Sequence, residues 1–299
     1  ELSLMSGRAL PRLDPSAVLE LFKPVTWFPP VWAFLCGAVS AGVGFEGKWG
    51  YLALGLLLAG PMVCATSQAV NDWFDRHVDA INEPDRPIPS GRIPGRWGLY
   101  IAIFWSGMSL LVAAALGPWG FGATVVALIL AWIYSAPPLR LKLNGWLGCT
   151  ATGLSYETLP WITAAAIMAG GAPRPEILLI ALLYGVGAHG IMTLNDFKAI
   201  EGDRRTGINS LPVLLGPERA ALVACWMMAV PQLVVVGILF AWGAVLSPII
   251  ILALIGVQIW AMRRMLTDPR KLAPWYNATG VGPYVLGMLA AAFALRAMA

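Results

Sequence analysis

Charge is scarce in this sequence: 12% of its 299 residues are Asp, Glu, Lys or Arg, about half the share found in a soluble domain. Together with 58% hydrophobic residues and a mean hydropathy of +0.71, that scarcity excludes an ordinary soluble globule and leaves an integral membrane protein. Histidine is nearly absent, with 2 in the chain. The four cysteines, Cys36, Cys64, Cys149 and Cys225, lie in apolar stretches with no paired spacing and no neighbouring His. This pattern argues against a zinc site or a disulfide framework and leaves buried thiols. No polar stretch between the apolar runs is long enough for a soluble domain, so residues 1–299 read as a single polytopic domain. Nor do the first residues, which carry Arg8, Arg12, Asp14 and Glu20, contain the apolar core of a signal peptide. Residues 1–22 therefore read as a cytoplasmic lead-in. Without a transit-like start, a bacterial inner membrane is expected rather than a plastid.

What the chain has in quantity is long apolar runs. Nine are expected to be helical spans, near residues 25–44, 51–72, 98–117, 119–135, 146–168, 175–196, 218–242, 245–265 and 277–297. Each is near the length that a helix needs to cross a bilayer core of roughly 30 Å. The expected fold is an all-α integral membrane protein of nine transmembrane helices around a central cavity.

An odd number of spans sorts the loops onto two sides. Of the 20 Lys and Arg residues, all but Lys48, Arg174 and Arg296 fall on the side of the N-terminus. By the positive-inside rule that side is cytoplasmic, and the C-terminus lies opposite. The net charge of +4 is thus an orientation signal and needs no nucleic-acid partner. Of the 16 acids, only Glu46 and Glu176 fall opposite, with Glu157 inside a span. Acids contribute little to topology, so their crowding on one face asks for a chemical reason.

That reason is a duplicated motif. The second span ends in Asn71-Asp72-Trp73-Phe74-Asp75-Arg76-His77-Val78-Asp79, and the sixth in Asn195-Asp196-Phe197-Lys198-Ala199-Ile200-Glu201-Gly202-Asp203. Both open with Asn-Asp and place another Asp seven residues on. Each also follows the second span of a group of four, so the chain reads as two parallel four-helix halves plus a ninth helix. Positions i, i+3 and i+7 of a helix share a face, which would aim Asp72, Asp75 and Asp79 in one direction and Asp196 and Asp203 in another set. Carboxylates gathered this way repel one another unless a cation holds them, and hard oxygen donors select Mg²⁺. The expected metal and catalytic set is Asp72, Asp75, Asp79, Asp196 and Asp203, with Glu201 a further metal donor. The alternative is a pair of solvated helix ends neutralised by Arg76, Lys198 or Arg204.

Cations lie beside both motifs. Three prolines stiffen Pro84-Asp85-Arg86-Pro87-Ile88-Pro89 and restrict where Arg86 points, and Pro137-Pro138-Leu139-Arg140-Leu141-Lys142 brings two more cations to the same face. Arg holds phosphate oxygens in a fork and Lys as a point charge. The expected diphosphate-binding set is Asn71, Arg76, Arg86, Arg140, Lys142, Asn195, Lys198 and Arg204.

The Asn-Asp-x-x-Asp-x-x-x-Asp motif after the second span and the acidic motif after the sixth resemble those of the UbiA-type intramembrane prenyltransferases, over about residues 20 to 297. Tyr134-Ser135-Ala136-Pro137-Pro138-Leu139, Arg86-Pro87-Ile88-Pro89-Ser90-Gly91, Asn144-Gly145-Trp146 and Glu201-Gly202-Asp203 look like the chlorophyll and bacteriochlorophyll synthase branch. One departure is visible: many relatives have Asp-x-x-x-Asp ending at the position of Asp203, and Ala199 stands where the first of those acids would be. The resemblance implies transfer of a geranylgeranyl or phytyl group from its Mg²⁺-bound diphosphate to the propionate carboxylate of a (bacterio)chlorophyllide. His189, seven residues before Asp196 and about 10 Å deeper, would line the acceptor pocket or serve as a structural histidine. Glu157, costly in lipid, should face the interior, and Trp73 and Phe74 could stabilise a cation by their ring faces. The rivals are a prenyltransferase for a quinone precursor or haem, and a divalent-cation transporter.

Overall fold

The computed structural model describes residues 12–299; Arg8 and the opening half of the expected lead-in lie outside the described residues. The rest of that lead-in is a packed helix. In α1 (Pro15–Phe22) the Asp14 side chain accepts from Ser16 N and caps the helix start. Its Ala17, Leu21 and Phe22 are buried against Ala65, Ala69 and Val70 of a later helix.

The first half follows as α2 (Phe28–Ser40), α3 (Trp49–Leu57), α4 (Ala65–Phe74), the short α5 (Arg76–Asn82), α6 (Trp97–Ala115) and α7 (Pro118–Ser135). A π-helical stretch, Leu58–Cys64, joins α3 to α4 and contains Pro61. Proline lacks the N–H that the α ladder needs, so the helix widens there, and Trp105 Nε1 of α6 donates to Pro61 O at 2.8 Å. The second half comprises α8 (Gly145–Gly153), α9 (Leu159–Ala169), α10 (Pro175–Asn195), α11 (Ile200–Thr206), α12 (Leu211–Leu215), α13 (Pro217–Ala241) and α14 (Leu246–Met265). Its first rod is again opened by a π stretch, Leu154–Thr158, with Pro160 just beyond. The surface helix α15 (Pro269–Thr279) leads into α16 (Val281–Ala297).

Among the described residues, seven helices are long and apolar enough to cross a membrane. These correspond to seven of the nine expected spans, and the protein is a multi-pass membrane protein. The expected span 25–44 is shortened to Phe28–Ser40: Pro24–Thr26 form a separate 3₁₀ turn before it, and Gly42 turns the chain with φ 74° after it. The expected span 146–168 is the rod divided at Leu154–Thr158, with Ser155, Glu157 and Thr158 in mid-course.

The halves meet where α2 packs against α9 and α16. Gly37 permits this approach, because a side chain there would run into the Trp161 backbone, and Trp161 Nε1 donates to Ser40 Oγ at 3.0 Å. Tyr184 stacks on Trp161 with centroids 5.7 Å apart, and the Tyr284 hydroxyl of α16 donates to Tyr184 O at 2.6 Å. Between α13 and α14, Gln232 and Gln258 exchange amide hydrogen bonds of 2.8 and 2.9 Å, so that neither buried side chain is left unpaired. Outward-facing Phe104, Leu111, Trp226 and Trp260 are exposed, the apolar girdle that lipid requires.

The three cations expected on the far side are all used by helix ends. Arg174 donates to Ser40 O and Leu295 O at 2.9 and 2.8 Å; Lys48 donates to Met168 O; and Arg296 reaches Val43 O at 3.3 Å. Each serves the C-terminal carbonyls of α2, α9 or α16 or of the turn after α2, where an intrahelical donor is missing and the dipole favours positive charge.

Candidate active site

At the opposite end, the helix carrying the first motif does not continue straight. Asp75 leaves helical geometry at φ −93° and ψ 0°, and α5 starts anew at Arg76. The second motif breaks similarly: Asp196–Ala199 form a 3₁₀ turn before α11. The expected continuous acidic face is therefore kinked in both motifs, and each pair of helices frames one side of a common cavity.

That cavity has a volume of about 1160 Å³, slightly above the usual upper limit of small-molecule sites, roughly 1,000 Å³. Asn71, Asp75 and Asp79 line it from the first motif, and Asn195, Asp196, Lys198 and Asp203 from the second. Away from this polar mouth it continues as an apolar limb past Phe34, Leu58, Val63, Ala127 and Leu159.

In the first motif each aspartate holds a cation. Asp72 is 1% exposed; its Oδ1 meets Lys23 Nζ at 2.6 Å and Arg86 Nη1 at 3.8 Å, while its buried Oδ2 has no partner. Asp79 pairs with Arg86 at 3.0 Å. Burial pushes the Asp79 carboxyl above its ordinary pKa, against the pull of the Arg86 guanidinium. Asp75 takes Arg140 at 3.2 Å and also Lys142. Asn71 Oδ1 accepts from Lys142 Nζ and Ser135 Oγ, both at 3.2 Å, which ties α4 to the end of α7 and the segment after it.

Among the described residues no three Asp, Glu, His or Cys side chains come together as a metal cage. Four cations stand between the acids of the first motif and relieve their repulsion. The second motif differs: among the described residues neither Asp196 nor Asp203 has a cation within salt-bridge distance. Asp196 Oδ2 instead receives Cys149 Sγ at 3.8 Å.

Several expected site residues lie elsewhere; Asp72 and Arg140, though paired with cavity residues, are not in the lining. Arg76 donates to Trp73 O at 2.7 Å and stacks 3.9 Å over the Trp73 ring, and neither lines the cavity. Phe74 packs edge-on against Trp132. Arg204 and Glu201 form an exposed pair at 3.3 Å. His189 sits in a separate small pocket, its Nε2 3.2 Å from Trp146 O and its Nδ1 buried without a partner. Glu157 is buried on the π stretch with Oε2 unpartnered, outside the cavity lining.

The structure adds three lining residues. Lys23 reaches Asp72 from the end of α1. Tyr156 holds Gln68 Nε2 at 3.0 Å across the cavity. Asn277 arrives from α15. Only Lys23 had a sequence signal, as a cation placed just before Pro24 on the face that carries the acids.

A family model described as the UbiA prenyltransferase family matches residues 26–281. The chain belongs to the UbiA prenyltransferase family. The bacteriochlorophyll synthase 33 kDa chain of Cereibacter sphaeroides is 59% identical over 285 residues, covering 95% of this chain and 94% of that protein. The chloroplastic chlorophyll synthase of Oryza sativa is 41% identical over 290 residues, covering 92% and 76%. A UbiA homolog from Archaeoglobus fulgidus, solved bound to GPP and Mg²⁺, superposes with a TM-score of 0.75 at 23% identity, covering 94% of this chain and 99% of that one. The helical arrangement is thus the UbiA fold.

Proposed function

We propose that this UbiA-family protein transfers a geranylgeranyl or phytyl group from its diphosphate to the propionate carboxylate of (bacterio)chlorophyllide a. The observation that carries this reading is a single cavity in which paired acids and cations form a polar mouth and an apolar limb runs inward. High identity to bacteriochlorophyll synthase along nearly the whole chain supports the choice of acceptor.

The donor set fits Mg²⁺: Asn71, Asp75, Asp79, Asn195, Asp196 and Asp203 line the cavity with hard oxygens, and Asp72, outside the lining, has a buried Oδ2 with no partner of its own. Asp72, Asp75, Asp79, Asp196 and Asp203 would hold the ion. When bound, Mg²⁺ supplies positive charge against the diphosphate oxygens. Lys23, Arg86, Arg140 and Lys142, now engaged by aspartates, would turn to phosphate oxygens as the carboxylates take metal. The bond between the allylic carbon and the diphosphate oxygen breaks, and diphosphate leaves with the electron pair. A propionate oxygen then forms the ester bond to that carbon. The acceptor carboxylate is ionised near pH 7, so no general base is needed. The apolar limb houses the C20 chain and keeps water from the allylic cation.

The expected topology belongs with this reading: nine crossings, with α2 and the α8–α9 rod as the two short or interrupted ones, and the mouth and N-terminus cytoplasmic. The deciding experiment incubates purified protein with geranylgeranyl diphosphate and Mg²⁺ and offers chlorophyllide, bacteriochlorophyllide, a quinone precursor and haem side by side. The reading expects pigment ester. Prenylation of the quinone precursor or haem alone, or cation flux in liposomes with no ester formed, would overturn it.

A further inference from the structure

Two anions must meet in this cavity if the proposed esterification is correct, and the cations that line it are unequally engaged. Lys23, Arg86 and Lys142 each grip an aspartate of the first motif. Lys198 also lines the cavity, and among the described residues it has no acid within salt-bridge distance. It stands on the 3₁₀ turn between Asp196 and Asp203, on the side opposite the first motif. The helix α15 packs against this turn and delivers Asn277 to the same cavity, with Asn277 Oδ1 buried and unpartnered.

The cations fix which anion goes where. A diphosphate carries more negative charge than a carboxylate and is matched by the three cations gathered at the first motif, Lys23, Arg86 and Lys142. The apolar limb, lined by Phe34, Leu58, Val63 and Ala127 of the first half and by Leu159 of α9, takes the prenyl tail from there. The acceptor must then approach from the second half, past Asp196 and Asp203. A carboxylate meeting two acids is repelled unless a cation intervenes.

The geometry points to Lys198 as the residue that receives the acceptor carboxylate, with the Nδ2 donor of Asn277, carried on the helix packed against its turn, as a second contact; this assignment rests on the esterification reading above. Lys198 thereby moves from the expected diphosphate set to the acceptor. The assignment also gives a use to an ammonium carried on an acidic turn: it lowers the barrier to a second anion without neutralising the diphosphate.

The test is equilibrium binding, in detergent and without donor, of chlorophyllide and of its propionate methyl ester to the wild type, Lys198→Gln, Lys198→Arg and Asn277→Ala. The wild type is expected to bind the free acid about tenfold more tightly than the uncharged ester. Lys198→Gln should bind both equally, Lys198→Arg should restore the preference, and Asn277→Ala should reduce it. In turnover, Lys198→Gln should raise KM for chlorophyllide and leave KM for geranylgeranyl diphosphate within about twofold. A Lys198→Gln protein that still prefers the acid, or whose donor KM rises instead, overturns the assignment. A wild type that makes no pigment ester at all would sink the esterification reading itself, and thermal unfolding of each variant reports whether it has folded.

Discussion

Lys23 and Arg140 are the non-glycine residues with positive φ among the described residues, at 47° and 36°. Each pairs with an aspartate of the first motif. Such backbone costs on the order of 1–3 kcal/mol per residue and persists only where surrounding structure enforces it. Its coincidence with two site cations argues that their placement matters more to this fold than local comfort. Lys23→Ala should therefore lower kcat/KM by about 100-fold, the order seen when one charge-stabilising group is lost, with the main loss expected in steady-state assays that vary the donor. Asp72→Ala and Asp79→Ala should abolish turnover while membrane extraction and gel filtration still give a folded protein; near-normal activity in either would contradict the metal role. The raised pKa of Asp79 has a definite sign. Its folded-state carboxyl takes up a proton at higher pH than in the unfolded chain, so protons compete with a metal sooner as pH falls. The Mg²⁺ concentration for half-maximal activity should rise as pH falls and that carboxyl takes up its proton, measured by metal titration at each pH.

At the scale of elements, the periodicity and spacing of the sequence located the rods and both motifs, and the duplication was legible because Asn-Asp and a later Asp recur at one interval. The kinks were not legible. Nothing in the composition of either motif forbids helix through Asp75 or Asp196; the turn at Asp75 meets cations that arrive from a distant segment, and the turn at Asp196 is packed against α15. Pro61 and Pro160 lie at the interruptions of their rods, although the expected spans 51–72 and 146–168 ran through both, and a proline alone does not say that the interruption is a π stretch facing the cavity. The Gln232–Gln258 pair was equally hidden, since one glutamine in each of two apolar runs has no visible partner until α13 and α14 are side by side. Gln232→Leu would leave the Gln258 amide buried and unsatisfied. It should lower stability by about 1–2 kcal/mol, read as a fall in the unfolding midpoint in detergent. The double replacement by leucine should recover most of that loss, because neither polar group then remains.

Over the whole molecule, the two ends of the bundle use charge differently. Far-side cations are consumed by helix C-termini, whereas near-side cations and acids face one another across a cavity. The sequence-level sorting of charges anticipated the sides and not this difference of use. That contrast disfavours a transport path for ions, which would need charged groups continuing toward the far end; beyond the motifs the cavity lining carries hydroxyls and the Gln68 amide among apolar side chains, and its charged residues all stand at the mouth. If that apolar limb holds the prenyl tail, its depth sets the tail length that fits. Ala127 lines it from α7, and a larger side chain there would fill space rather than displace packed neighbours. Ala127→Phe should cut kcat/KM for geranylgeranyl diphosphate about tenfold or more and leave that for the C10 donor geranyl diphosphate within about threefold, the scale of discrimination that hydrophobic pockets achieve by size. The two donors are compared with one acceptor at fixed Mg²⁺, so that only the tail differs. An equal fall for both donors at an unchanged unfolding midpoint would mean that the limb is not where the tail lies.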